Sequence, residues 1–163
     1  MKSLNVAIIG TKFMGKAHSN AWLNTPHFFD LEIKPVLKVA VGRNKEELKA
    51  FADNWGWEET STDWREVVER DDVDIVDISV PTHLHHSIAV AAAKAGKHIF
   101  CEKPFAMNVE QAREMYETAE EAGIVHYLNH NYRRVPAVLL AKRMVDDGEI
   151  GEIFHWRSAY LQD

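Results

Sequence analysis

Cysteine is almost missing from this chain: Cys101 is the single one among 163 residues. One thiol cannot build an intrachain disulfide framework, so a small stapled domain is excluded and Cys101 reads as a small buried hydrophobe at the end of a strand. An excess of positive charge is missing too. The net charge is −6, and no long basic run or basic–aromatic interleaving occurs, which argues against nucleic acid as a partner. No apolar stretch approaches the ~20 residues that span a bilayer, so no membrane partner is expected. After Met1-Lys2-Ser3 a strand-like run begins at once, without the long apolar segment and cleavage site of a secretory leader. The expected location is cytoplasmic. What is present is ordinary for a globular protein, with 46% hydrophobic and 27% charged residues. The length sets one domain as the prior, large enough to bury a core.

Along the chain, short β-branched apolar runs alternate with helix-like segments. Strands are expected at residues 5–9, 36–41, 74–80, 98–101 and 124–128. Helices are expected at 14–23, 45–54, 63–69, 84–95, 109–122 and 136–146, with loops around Thr25-Pro26 and Lys34-Pro35. Pro81 stops the third strand, and Gly96, Gly123 and Gly148 follow helices as C′ residues. Thr62 or Asp63 suits the N-cap of the short acidic helix. Strands separated by helices of about ten residues mean βαβ units and a doubly wound parallel sheet, an α/β fold of Rossmann type. The rhythm then breaks. Residues 151–160, containing Phe154, Trp156 and Tyr160, read as one more strand, the start of a second, sheet-rich domain. The expected division is therefore 1–150 and 151–163.

Two motifs carry the chemistry. The first strand ends at Gly10, and Gly15 follows five residues later at the start of a helix. Gly10 suits the tight turn and Gly15 the close helix–strand approach of a phosphate-binding fingerprint, with the first-turn N–H groups facing a pyrophosphate. Lys12 stands where the fingerprint has its middle glycine. Either the backbone approaches the phosphates less closely there, or the Lys12 side chain lies away from them. The second motif is Glu102-Lys103-Pro104, directly after an apolar strand. It sets a lysine at the carboxyl edge of the sheet, where ligands of open α/β sheets bind. Held there by Pro104, the ammonium can point at a hydroxyl or carbonyl, and burial would tune it. The second strand ends Val41-Gly42-Arg43-Asn44, without the carboxylate that accepts from an adenosine ribose. Arg43 would pair with a 2′-phosphate or lie on the adenine ring, so the cofactor expectation is NAD or NADP, leaning to NADP. His83, His85 and His86 cluster at a strand-to-helix turn where side chains diverge, and no metal site is expected.

In order and spacing, four short pieces resemble the amino-terminal half of the glucose–fructose oxidoreductase and inositol dehydrogenase family. They are Gly10 through His18, Pro81-Thr82-His83-Leu84-His85, Ala95-Gly96-Lys97-His98 with the Glu102-Lys103-Pro104 that follows, and Asn131-Tyr132-Arg133-Arg134-Val135-Pro136-Ala137. The resemblance runs from about Asn5 to Tyr160. It implies an NAD- or NADP-dependent dehydrogenase of sugars, polyols or related hydroxy compounds, about twice this length. A carboxy-terminal domain around an open antiparallel sheet would supply the rest of the substrate pocket, usually a catalytic histidine or aspartate, and commonly the homo-oligomer interface. Carried over by position, Gly10, Phe13, Met14 and Gly15 would form the phosphate loop. Pro81, Thr82 and His85 match the family's Thr-Pro-Asn-x-x-His loop beside the nicotinamide, with Val80 and Thr82 departing from it. Glu102 and Lys103 match its Glu-Lys-Pro, the lysine being the catalytic residue that orients the substrate and helps relay its proton. Asn131 and Arg133 match positions near the cofactor's reactive end. A dinucleotide-binding sensor without catalysis is the alternative, and Lys103 favours the enzyme, since a sensor needs no lysine at the hydride-transfer position.

Overall fold

The computed structural model describes residues 2–161, which divide after Asn129 into two compact units. The first is built on six parallel strands: β1 (Lys2–Ile9), β2 (Ile33–Val41), β3 (Glu59–Ser61), β4 (Ile75–Ile78), β5 (His98–Cys101) and β6 (His126–Leu128). Their order is β3-β2-β1-β4-β5-β6. Helices α1 (Phe13–Phe28), α2 (Lys45–Trp55), α3 (Trp64–Val68), α4 (His85–Lys94) and α5 (Val109–Glu121) connect them. This is the doubly wound Rossmann order, with its topological switch between β1 and β4.

Alternation along β1 explains the layering. Successive strand residues face opposite sides. Val6 and Ile8 pack with Leu48 and Phe51 of α2. Ala7 and Ile9 pack instead with Val67 of α3, Ile88 of α4 and Met115 of α5. All four β1 residues are buried, so the central strand is apolar on both faces, as parallel sheets require.

Three local outcomes differ from the expectation. Helix α1 does not stop at Thr25-Pro26 but continues to Phe28. Pro26 falls in its last turn, and the Thr25 hydroxyl donates to the Ala21 carbonyl at 2.7 Å, supporting that turn. Strand β2 begins at Ile33 and carries Pro35 at its start, before β3 joins at Val39. Only one neighbour is present there, which is where a sheet tolerates proline. Strand β3 itself was not foreseen, because Glu59-Thr60-Ser61 has no apolar periodicity and exists through pairing with Val39–Val41.

The second unit, taken by itself, holds a 3-10 turn (Asn131–Arg134) and α6 (Pro136–Asp146), which starts on Pro136 in the favoured first position. The expected strand at 151–160 is not formed. A strand is defined by its ladder, and no described residue forms a β-ladder with this segment. Phe154 is 89% exposed and Trp156 74%. Aromatic side chains exposed to that degree favour pairing with another copy. Light scattering at high micromolar concentration should therefore show association of this chain and a monomer for a version ending at Gly148. Two monomers would mean that the tail is not sticky.

Candidate active site

Glycine is required twice at the β1–α1 turn. Gly10 has φ +115°, and a Cβ there would lie 2.6 Å from the Ser79 carbonyl oxygen. A Cβ on Gly15 would lie 2.1 Å from the Gly10 carbonyl oxygen, so α1 approaches β1 as closely as backbones allow. No side chain caps α1. Its first intrahelical bond runs from Lys16 N–H to the Lys12 carbonyl, leaving the N–H groups of Phe13, Met14 and Gly15 without intrahelical acceptors. That cradle, at the positive end of a helix dipole, fits a pyrophosphate. Lys12, which stands between the two glycines, is exposed and pairs with α2. Its ammonium is drawn to Glu47 of α2 at 2.6 Å, and the hydrogen bond from Lys12 holds the Glu47 carboxyl below its usual range. Beyond β2, Asn44 caps α2 by accepting from the N–H groups of Glu46 and Glu47. Arg43 beside it has no partner among the described residues.

Across the switch point, β4 is followed by Ser79, whose hydroxyl donates to the Gly10 carbonyl at 3.0 Å. Pro81 caps a 3-10 turn containing Thr82, and α4 begins at His85. His85 is 1% exposed, and its ring is a strap between loops: Nε2 meets the Val80 carbonyl at 2.9 Å, and Nδ1 the Pro104 carbonyl at 3.0 Å. It therefore orders the loops that flank the cleft. Its neighbours go elsewhere; His86 pairs with Glu114 at 2.7 Å.

Glu102 N–H donates to the Ile78 carbonyl at 2.9 Å, so the loop starts where β5 leaves the sheet. Glu102 is buried, and its side chain turns down into the protein while Lys103 is exposed. The burial expected to tune Lys103 is not found in this chain. The Lys103–Pro104 peptide is cis. Beneath it lies a buried polar chain that the sequence did not single out. Glu102 Oε1 accepts from the Asn129 amide and lies 3.1 Å from His18 Nε2, while Oε2 accepts from the Lys103 N–H at 3.1 Å. His18 Nδ1 lies 2.8 Å from Asp77 Oδ1, and the Trp22 indole N–H donates to Asp77 Oδ2 at 2.7 Å. Burial alone would lower the His18 pKa, but hydrogen bonds and attraction from Asp77 and Glu102 outweigh it and raise it above 6.5. The Cys101 thiol is pushed up to about 12 by burial and then by the same two carboxylates, which fits an inert buried thiol. Signals for this chain did exist: Asp77 interrupts an apolar strand, and His18 closes the first motif.

Asn131 and Arg133 lie on the exposed 3-10 turn of the second unit, where the Arg133 N–H donates to the His130 carbonyl at 3.0 Å. In the first unit the asparagine that meets the Glu-Lys-Pro loop is Asn129.

A 3-2-1-4-5-6 sheet, a glycine-built anion cradle and a lysine on the carboxyl edge across the switch point define a dinucleotide-binding domain of the oxidoreductase type. Residues 4–130 match the model of the oxidoreductase family with an NAD-binding Rossmann fold, and the chain belongs to that family. It is similar to levoglucosan dehydrogenase of Pseudarthrobacter phenanthrenivorans, with 47% identity over 164 residues, 100% of this chain and 42% of that protein. A solved levoglucosan dehydrogenase in complex with NADH superposes with a TM-score of 0.90 at 46% identity, covering 92% of this chain and 41% of that one. D-apiose dehydrogenase of Paraburkholderia graminis is 29% identical over 160 residues, 98% of this chain and 41% of that protein. The chain thus spans about two fifths of the length of the curated relatives it matches. Among the described residues no helix is long and apolar enough to cross a membrane.

Proposed function

We propose that this chain is the cofactor half of an NAD(P)-dependent dehydrogenase that oxidises a CH–OH group of a sugar, polyol or related hydroxy compound. The observation that carries the reading is Lys103, exposed at the carboxyl edge and anchored through Glu102 to a buried network. The N–H groups of Phe13, Met14 and Gly15 hold the pyrophosphate, and Arg43 serves the adenosine end. Pro81 and Thr82, ordered by His85, border the nicotinamide side. By the family resemblance, Asn131 and Arg133 are further candidates to contact the dinucleotide. When bound, the dinucleotide supplies the hydride acceptor. Lys103 orients the substrate hydroxyl and, as the free amine left after it releases one proton to solvent, takes the hydroxyl proton while the hydride leaves carbon for the dinucleotide; its exposure allows that exchange with solvent. NAD(H) is the favoured form, because the solved relative carries NADH and the family description names NAD; Arg43 keeps NADP(H) as the second choice.

On this reading residues 1–150 form the dinucleotide-binding domain, and 151–163 lead into a second, sheet-rich domain that completes the substrate pocket and mediates homo-oligomer assembly. The cytoplasm, with its dinucleotide pool, is the proposed location. This chain alone should bind NADH, seen by fluorescence titration, yet turn over no sugar or polyol, since hydride transfer needs a substrate held against the nicotinamide. Steady-state oxidation of levoglucosan or a polyol by this chain would sink the division of labour.

A further inference from the structure

Asp77, His18 and Glu102 form a carboxylate–imidazole–carboxylate chain with almost no solvent access, and the proposed reaction does not use it directly. Two buried carboxylates around one ring are costly unless the protons are placed to pair them. The second ring nitrogen decides the placement. A neutral His18 with its proton on Nδ1 would set the Nε2 lone pair against Glu102 Oε1 at 3.1 Å. The Asn129 amide nitrogen, 3.2 Å from Nε2, can turn its second N–H to that lone pair, but the Glu102 oxygen would still face the ring nitrogen with no proton between them. With both ring nitrogens protonated, each carboxylate accepts from the ring and from a second donor: Nδ1–H and the Trp22 N–H meet Asp77, while Nε2–H, the Asn129 amide and the Lys103 N–H meet Glu102.

We propose that His18 is a positioning residue: as an imidazolium it locks the Glu102 carboxylate against the Lys103 backbone, and so fixes the base of the side chain that meets the substrate. The link to substrate rests on the dehydrogenase reading; the lock itself rests on geometry alone. Groups facing the ring from other elements are Asp77 of β4, Phe100 of β5 edge-on at 5.5 Å between ring centroids, Glu102 and Asn129. Cys101, at the end of β5, remains a thiol. Because the folded-state pKa of His18 lies above its ordinary 6.5, the lock is complete below that value and is lost as pH rises through the folded pKa.

The test is ¹⁵N–¹H NMR of the unmutated chain across pH, with NADH titrated into the same sample. The expected result is a doubly protonated His18 ring at pH 7, and a Lys103 amide resonance that moves with the same midpoint, above 6.5. Glu102→Gln should lower that midpoint by roughly one unit or more. In the full-length enzyme, His18→Gln should lower kcat by about tenfold to 10²-fold while the KM for dinucleotide stays nearly constant. In the 163-residue chain it should abolish the pH response of the Lys103 amide, which a merely structural histidine would not control. A neutral ring at pH 7, or a Lys103 amide indifferent to it, overturns the lock. Failure of NADH to bind, with the titration intact, counts against the dehydrogenase reading and leaves the lock standing.

Discussion

Replacing Lys103 with methionine in the full-length enzyme should lower kcat by roughly 10²-fold or more and leave dinucleotide affinity nearly unchanged. Methionine keeps the length and apolar stem but removes the ammonium. The loop itself should survive, because its anchors are not the lysine side chain: the Glu102 N–H bonds the Ile78 carbonyl, and the Glu102 carboxylate bonds the Lys103 N–H. Among the described residues the Lys103 side chain has no ion pair to lose, so stability should move little. The phosphate cradle lies on the β1–α1 turn and contains no part of Lys103. A fall in kcat with constant dinucleotide affinity is therefore the signature of a group that acts on the reacting hydroxyl. A rise in KM for the alcohol at unchanged kcat would reduce Lys103 to a binding contact.

The elements that position this lysine were legible in the sequence because their signals are local. Gly10 and Gly15 sit at spacings that only backbone geometry explains, and both prove to have no room for a Cβ. Gly96 and Gly123 follow their helices with φ near +70°, as the stops required: +72° and +64°. What was not legible is long-range or borrowed. His18 meets Asp77 across 59 positions and Glu102 across 84, so no window on the sequence contains the network. Strand β3 is polar and owes its existence to the exposed edge of β2. The segment 151–160 shows the reverse case: its side chains have the composition of a strand, yet without a partner ladder among the described residues it forms none.

Gly15→Ala should cost far more than one added methyl group ordinarily does. On helix propensity alone alanine would gain about 1 kcal/mol over glycine. Against that stands a Cβ placed 2.1 Å from the Gly10 carbonyl oxygen and 2.9 Å from its carbon. Neither atom is the end of a flexible side chain, so relief requires α1 to move away from β1. Overpacking of that kind costs 1–3 kcal/mol and occasionally more, and here it should exceed the propensity gain, for a net loss of roughly 2 kcal/mol. Binding should suffer along with stability, because the displaced turn carries the three N–H groups of the cradle. A shift there should weaken NADH binding by at least about tenfold, equivalent to ~1.4 kcal/mol. Gly56→Ala is the control. Gly56 ends α2 at φ +76°, with nothing within 4 Å of its Cβ position. Alanine there meets only the left-handed backbone penalty of about 1 kcal/mol and lies outside the cradle, so NADH affinity should not change. Urea unfolding and calorimetric NADH titration of the two variants separate the effects. If Gly15→Ala binds NADH as tightly as the unmutated chain, the close approach of α1 to β1 does not build the phosphate site.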